Sequence, residues 1–167
     1  MDTVEEFLAY AINLEREAAE RFGMLADAMD AAGNADVARL FRRLGDYSRL
    51  HLMDAQARSG YREIPDLKPD QLVWPDFESP ESAAAWALDP MIDRGSALQV
   101  ARDAEQAGLN YYHHIWSTTD DPEIRTFAKE FASEEKMHVA ELDRWIDAHK
   151  SGRPLPTDIR LQPISGA

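Results

Sequence analysis

Two stretches of the chain place a histidine at a spacing that suits metal binding. In EEKMH, which ends at His138, Glu135 precedes the histidine by three positions, and in YSRLH, which ends at His51, Ser48 takes the matching position. Helical side chains three residues apart lie on one face, so Glu135 and His138 can reach the same ion. Carboxylate oxygens and neutral imidazole nitrogens are common ligands of divalent metals. The pattern therefore indicates a metal site on one helix and an incomplete copy of it on another.

Polar residues interrupt the apolar stripe of each of four predicted helices. The stripes repeat at three and four residues, as expected for helices that bury one face against a partner. The interrupting residues, in chain order, are Glu15, Ser48, His51, Glu105, Glu135 and His138. Buried carboxylates repel one another and cost several kcal/mol unless they are paired, and the stripes show no Lys or Arg at these levels. A bound cation removes both costs, so we expect metal ligands at Glu15, His51, Glu105, Glu135 and His138.

Each of these residues taken alone has a simpler explanation. A single glutamate in a stripe often reaches solvent, and solvated helix faces produce Glu-x-x-His freely. The coincidence across four helices favours the metal interpretation. The other histidines, His113, His114 and His149, lack this support and are expected to be surface or packing residues. Tyr112 lies two turns from Glu105 and could line the site.

The helix boundaries follow from capping residues and helix breakers. Thr3 with Glu6 forms a capping-box signature, and Gly33 and Gly60 end the first two helices. The predicted helices run from Thr3 to about 32, from about 34 to 59, from between 89 and 96 to about 117, and from 121 to about 149. Short turns join the first helix to the second and the third to the fourth, so each pair is an antiparallel hairpin.

A crossover at about 60–90 separates the two hairpins. Its first part contains four prolines and no helical period, and a short helix is predicted after Ser79. Four helices with one long crossover predict an all-α, ferritin-like antiparallel four-helix bundle over residues 1–150. The tail, residues 151–167, is expected to be extended or loose.

Composition excludes several classes of function. The net charge of −13 argues against nucleic-acid binding, whose phosphates select basic surfaces. No apolar run approaches the length of a membrane span, and a cytoplasmic location is expected. The chain has no cysteine, which excludes disulfides, thiolate metal sites and a thiol nucleophile.

The two hairpins repeat one pattern. Each has a glutamate in its first helix, Glu15 or Glu105, and a histidine in its second, His51 or His138. Superposing the copies places Ser48 opposite Glu135. A bundle with this internal twofold would present two metal half-sites that face each other in its middle.

These residues resemble the rubrerythrin-like branch of the ferritin-like di-iron carboxylate proteins, over residues 4–149 apart from the crossover. The resemblance implies that Glu15 and Glu105 are terminal ligands, that Glu135 bridges two ions, and that His51 and His138 are terminal ligands. It also implies two iron ions, with zinc or manganese as other possible metals. A homodimer is implied too, and the aromatic residues Trp74 and Trp86 of the crossover are compatible with one.

The sequence departs from that family at three points. Ser48 stands where a second bridging glutamate is expected, so three carboxylates remain to balance two divalent ions. Gly108 stands where rubrerythrins carry an additional glutamate. The absence of cysteine means that no rubredoxin domain is present, so an electron donor would be external.

Three functions are compatible with these observations. The first is an oxidoreductase that acts on oxygen, peroxide or ferrous iron through a two-metal centre. The second is a non-redox metal-binding or storage protein with an incomplete site. The third is a helical interaction module whose polar centre is vestigial. The expected partners are a metal ion, a small oxidant, an external electron donor and a second copy of the chain.

Overall fold

The structure, a computed structural model, describes residues 3–60, 62–68, 71 and 89–161. These residues form four α-helices and no strand: α1 (Val4–Ala31), α2 (Ala35–Arg58), α3 (Arg94–Thr118) and α4 (Pro122–Lys150). The α1/α2 and α3/α4 pairs pack along their length as two hairpins, and α1 also contacts α3 and α4. The predicted all-helical bundle of two hairpins is thus confirmed. The short helix predicted after Ser79 and the residues Trp74 and Trp86 lie outside the described residues.

Side chains cap the N-termini of α1, α3 and α4. The Thr3 hydroxyl accepts a hydrogen bond from the Glu6 amide (3.1 Å). The Asp93 carboxylate does the same for the Ser96 amide (2.8 Å), and Asp121 caps α4. Gly33, between α1 and α2, has a φ of 80°, a conformation that side chains other than glycine rarely adopt.

Two apolar clusters fill the bundle, one toward each end. One cluster takes residues 18–29 of α1, 37–44 of α2, 97–101 of α3 and 142–146 of α4. The other takes residues 4–14 of α1, Ala55 of α2, 111–115 of α3 and 124–132 of α4. On every helix, the predicted ligand positions fall between the two segments. We call this middle level, formed by Glu15, Ser48, His51, Glu105, Glu135 and His138, the polar layer.

The described part of the tail, residues 151–161, forms no helix or strand but docks on the bundle. Leu155, Ile159 and Leu161 pack against the first apolar cluster. The Arg160 amide donates a hydrogen bond of 2.6 Å to Glu141 of α4, whose side chain is buried. None of the helices in the described part of the chain is both long enough and apolar enough to cross a membrane.

Candidate metal centre

All five predicted ligands point into the bundle. The helical period places them on the inward faces, and no more than 5% of the surface of any of them is exposed: Glu15, His51, Glu105, Glu135 and His138. The structure therefore gathers three carboxylates and two imidazoles at one level of the core. They are arranged as two halves.

The first half, which we call the Glu105 half, consists of Glu105 of α3 with Glu135 and His138 of α4. Each residue offers one ligand atom, and these atoms all lie within 4.8 Å of one another. His138 Nδ1 lies 3.3 Å from Glu105 Oε2. An ion with bonds of about 2 Å separates its ligands by up to about 4 Å, so a small closure of these side chains would hold one.

The second half, which we call the Glu15 half, consists of Glu15 of α1 and His51 of α2. His51 Nδ1 lies 3.4 Å from Glu15 Oε1. The Phe131 ring stands edge-on to the His51 ring at 4.1 Å and fixes its plane. The Tyr112 hydroxyl donates a long hydrogen bond of 3.5 Å to Glu15 Oε1, so Tyr112 does line the centre.

Glu134 joins the Glu15 half, although the sequence analysis did not select it. Its Oε2 lies 3.7 Å from His51 Nδ1, and its side chain is 17% exposed. The sequence does contain a pattern that indicates this position. Glu134 follows Phe131 by three positions and precedes His138 by four, which is the spacing of residues on one face of a helix. The stripe on α4 is therefore wide enough to include it.

Arg21 contradicts the expectation that no basic residue reaches this level. Its side chain is 4% exposed, and its Nη2 lies 3.5 Å from Glu105 Oε1. The spacing of Ala18, Arg21 and Leu25 could have revealed it, because these residues also repeat at three and four. One carboxylate of the polar layer is thus paired with a permanent positive charge.

Glu105 and Glu135 share one proton. Burial raises the pKa of Glu105, but hydrogen bonds from Glu135 and His138, with the charges of His138 and Arg21, outweigh it and lower that pKa to about 2. Burial and the Glu105 carboxylate raise the pKa of Glu135 well above its usual range. The pKa values of the two carboxyl groups are thus pushed apart, so that protonation is favoured at Glu135 and ionisation at Glu105.

The carboxylates next to His51 change the pKa of its imidazole. Burial lowers the pKa of His51, but the hydrogen bond and charge of Glu15, with the charges of Glu134 and Asp54, outweigh it and raise that pKa. Burial raises the pKa of Glu134. The Glu15 half thus stabilises positive charge on the ring, which is what a bound cation would supply instead.

Unpartnered polar atoms show that the layer fits a cation. Glu15 Oε2 and Ser48 Oγ are buried and make no hydrogen bond with the described residues. Buried polar atoms in folded proteins nearly always have such a partner. Carboxylate oxygens together with inward-facing imidazole nitrogens form the ligand set of divalent transition metals. The residues present therefore fit a metal ion.

Two of the departures from the family pattern, Ser48 and Gly108, are small residues at the level of the polar layer. The Ser48 side chain is 1% exposed and too short to reach across the layer. A Cβ atom added to Gly108 would lie 3.5 Å from Glu135 Oε2, an ordinary contact, so a larger side chain there would press on Glu135.

A groove of about 540 Å³ between α2 and α4 reaches the Glu15 half. Its lining includes both His51 and Glu134, but none of the three residues of the Glu105 half. The residues that line the groove are Tyr47, His51, Asp54, Arg58, Lys129, Glu130, Ser133, Glu134, Lys136, Met137 and Ala140. A small molecule can therefore approach the centre from one side.

The remaining histidines lie away from the polar layer. His113 is exposed and His114 is half-buried. His149, near the end of α4, accepts a hydrogen bond of 3.1 Å from Arg94.

The fold and the buried glutamates and histidines define a ferritin-like four-helix bundle. No protein-family model matches the sequence, and no curated protein matches it. One solved structure is similar, that of an uncharacterized conserved protein from Magnetospirillum magnetotacticum MS-1. The two chains are 38% identical with a TM-score of 0.71, and the match covers 93% of this chain and 99% of the other. The chain belongs to the same ferritin-like, rubrerythrin-type family.

Proposed function

We propose that the protein is an oxidoreductase whose polar layer holds two iron ions and which acts on oxygen, peroxide or ferrous iron. The observation that carries the proposal is the Glu105 half, where three ligand atoms from two helices lie within 4.8 Å of one another in the core. The Glu15 half adds a third carboxylate and a second imidazole at the same level. Iron would supply the electrons and the coordination positions at which an oxidant reacts.

Each ligand has a role in this proposal. Glu105 and His138 would hold one ion, Glu15 and His51 would hold the other, and Glu135 would be shared between them. Because the pKa of Glu135 is raised, a cation that bound there would compete with its proton. Phe131 and Tyr112 orient His51 and Glu15 respectively, so that less ordering is required on binding.

Access and electron supply follow from the surroundings. The groove between α2 and α4 brings a small oxidant to the Glu15 half, and the short Ser48 side chain leaves space beside it. The sequence has no cysteine and therefore holds no rubredoxin-type iron site of its own. The reductant is therefore ferrous iron itself or an external donor.

A second candidate, a non-redox protein with a single zinc or manganese ion, is favoured by Arg21. The charges of Arg21 and of one divalent ion together balance those of Glu15, Glu105 and Glu135. In that case the Glu105 half binds the ion, and the Glu15 half holds none, with His51 Nδ1 remaining 3.4 Å from Glu15 Oε1.

Metal analysis and an optical spectrum of the purified protein, grown with ample iron, separate the candidates. Two irons per chain, with near-ultraviolet absorption that changes on adding peroxide, support the oxidoreductase. One zinc or manganese without a response to peroxide supports the second candidate. A folded protein that binds no metal overturns both and leaves a helical interaction module. Glu135→Gln should abolish binding, whereas Glu130→Gln, at a half-buried position of the same helix outside the polar layer, should not.

A further inference from the structure

We propose that Glu134 is a metal ligand of the Glu15 half and supplies the carboxylate that Ser48 does not. This inference rests on the proposed two-metal function. Helix α4 would then contribute two adjacent ligands. Glu134 would bind the ion of the Glu15 half, and Glu135 would be shared by the two ions. Helix α2 then contributes His51 alone.

The geometry around the His51 ring carries the inference. Two carboxylate oxygens from different helices approach the same nitrogen, Glu15 Oε1 at 3.4 Å and Glu134 Oε2 at 3.7 Å from His51 Nδ1. An ion with bonds of about 2 Å places its adjacent ligand atoms about 3 Å apart. A cation near Nδ1 would therefore lie within reach of both carboxylates after a small inward movement.

The Glu134 side chain has the freedom to make that movement. It is 17% exposed and lines the groove, so it can turn between solvent and the centre. Among the described residues, the Glu105 half alone brings three ligand atoms within 4.8 Å of one another. The Glu15 half is thus more open, and Glu134 must turn inward as an ion binds. Tyr47 lines the same groove as Glu134 and His51.

Unpartnered atoms point to a ligand at this place. Glu134 Oε2 is buried and makes no hydrogen bond with the described residues, and the same is true of Glu15 Oε2 and Ser48 Oγ. The side chains of Glu15 and His51 are each 3% exposed. The two carboxylates that approach His51 therefore each leave a buried oxygen without a hydrogen-bond partner among the described residues.

Charge balance also favours a fourth carboxylate. With Ser48 in place of a glutamate, Glu15, Glu105 and Glu135 do not balance two divalent ions. Glu134 restores the missing negative charge without any change in α2. The positive charge of Arg21, beside Glu105, then favours a small anion such as hydroxide at the centre.

The test is a titration with Co²⁺, followed by visible absorption and by the number of ions bound per chain. The wild-type protein should bind two ions. Glu134→Gln should bind the first ion as the wild type does and the second at least about tenfold more weakly. Glu130→Gln is the matched control, because Glu130 lines the same groove one turn earlier and should leave both affinities unchanged. Ser48→Glu combined with Glu134→Gln should restore the second ion, a rescue that a mere packing role would not give.

The outcomes separate this inference from the proposed function. If Glu134→Gln binds two ions with wild-type affinities, the inference is wrong and the two-metal function stands. If the wild-type protein binds one ion, the inference is wrong and the single-metal candidate is favoured. If the wild-type protein binds none, the proposed function fails and the inference fails with it.

Discussion

Glu105 and Glu135 behave as one titrating unit at the centre of the polar layer. Glu135 holds their shared proton because burial and the Glu105 charge oppose its ionisation. Arg21 stabilises the charge that Glu105 keeps. A cation that binds here must displace the proton of Glu135. It must also overcome repulsion by the positive charge of the Arg21 guanidinium. The protonation of this pair therefore links metal binding, stability and pH.

The stability of the chelator-treated protein should fall as the pH rises above about 5. Glu135 has a raised pKa in the folded state, so its contribution is fully present below its ordinary value of 4.5 and is lost as the pH rises through the folded-state pKa. Each proton retained by the folded state alone costs about 1.4 kcal/mol per pH unit in that window. His51, whose pKa is also raised, acts in the same direction. Glu105, with a pKa of about 2, instead loses its contribution as the pH falls from 4.5 through that value.

Urea unfolding at several pH values measures this dependence. Glu135→Gln should flatten the slope above about pH 5, because it removes the titrating carboxyl but keeps a hydrogen-bond donor for Glu105. An unchanged slope in this variant would assign the pH dependence to other groups.

Ser48→Glu should strengthen binding of the second metal ion by about tenfold, because it adds a carboxylate where the layer has only a hydroxyl. The same change should destabilise the chelator-treated protein, since it buries another carboxyl group beside Glu15. Co²⁺ titration and thermal melting measure the two effects. Gln56→Glu adds an equal charge at an exposed position of α2 and should do neither. Unchanged Co²⁺ affinity in Ser48→Glu would show that Ser48 does not face the centre.

At the scale of the helices, the layer is held between two apolar clusters, and each helix contributes to both. Rings at the border orient the ligands: Phe131 packs on His51, and Tyr47 stands edge-on to His138 with ring centroids 4.9 Å apart. Burial, with the charge and hydrogen bond of Glu134, raises the pKa of Tyr47 to about 12, so its hydroxyl stays protonated and able to donate. The helices thus position the imidazoles by packing as well as by backbone geometry.

Gly108→Ala should stabilise the protein by about 0.5–1 kcal/mol, because alanine loses less chain entropy in a helix than glycine does. The added Cβ would meet Glu135 at 3.5 Å, so the centre should still bind Co²⁺ normally. Gly45→Ala is the matched control on α2, where the added Cβ would lie only 3.3 Å from Phe22 Cβ. Chemical denaturation should show a gain for Gly108 and a smaller gain or a loss for Gly45. Destabilisation by Gly108→Ala would mean that the layer near Glu135 is tighter than described.

At the scale of the whole molecule, the two hairpins are joined by a polar layer and by the docked tail. Glu141 accepts hydrogen bonds from Arg144, from the Trp145 ring nitrogen and from the Arg160 amide. The tail then covers the apolar cluster at the end of the bundle opposite Phe7. Anchoring residues 153–161 in this way shields that end from solvent.

Glu141→Ala should release the tail and destabilise the protein by about 1.5–3 kcal/mol, the range for hydrogen bonds to a charged group. Limited proteolysis should then cut the tail faster, while Co²⁺ binding should be unchanged because Glu141 lies outside the polar layer. Asp147→Ala, at an exposed position of α4, is the control. Equal proteolysis rates in the two variants would show that Glu141 does not anchor the tail.

The sequence by itself determined the four helices, their pairing and the polar layer. Caps such as Thr3 and Asp121 act on the nearest amides, and stripe positions such as Glu15 and His138 follow from the helical period, so both are local properties. Short turns allowed only antiparallel hairpins. The position of the ligands along the bundle could be predicted because polar residues interrupt each apolar stripe in one segment, near its middle.

Only the tertiary structure decided which charges meet across helices. The approach of Arg21 to Glu105 and of Glu134 to His51 depends on the rotation and axial shift of one helix against another, which a stripe pattern leaves free. The groove and the docked tail arise in the same way, from surfaces that are distant in sequence. These contacts determine the charge of the centre and the access to it, because electrostatic energies in a buried site change steeply over one or two ångströms.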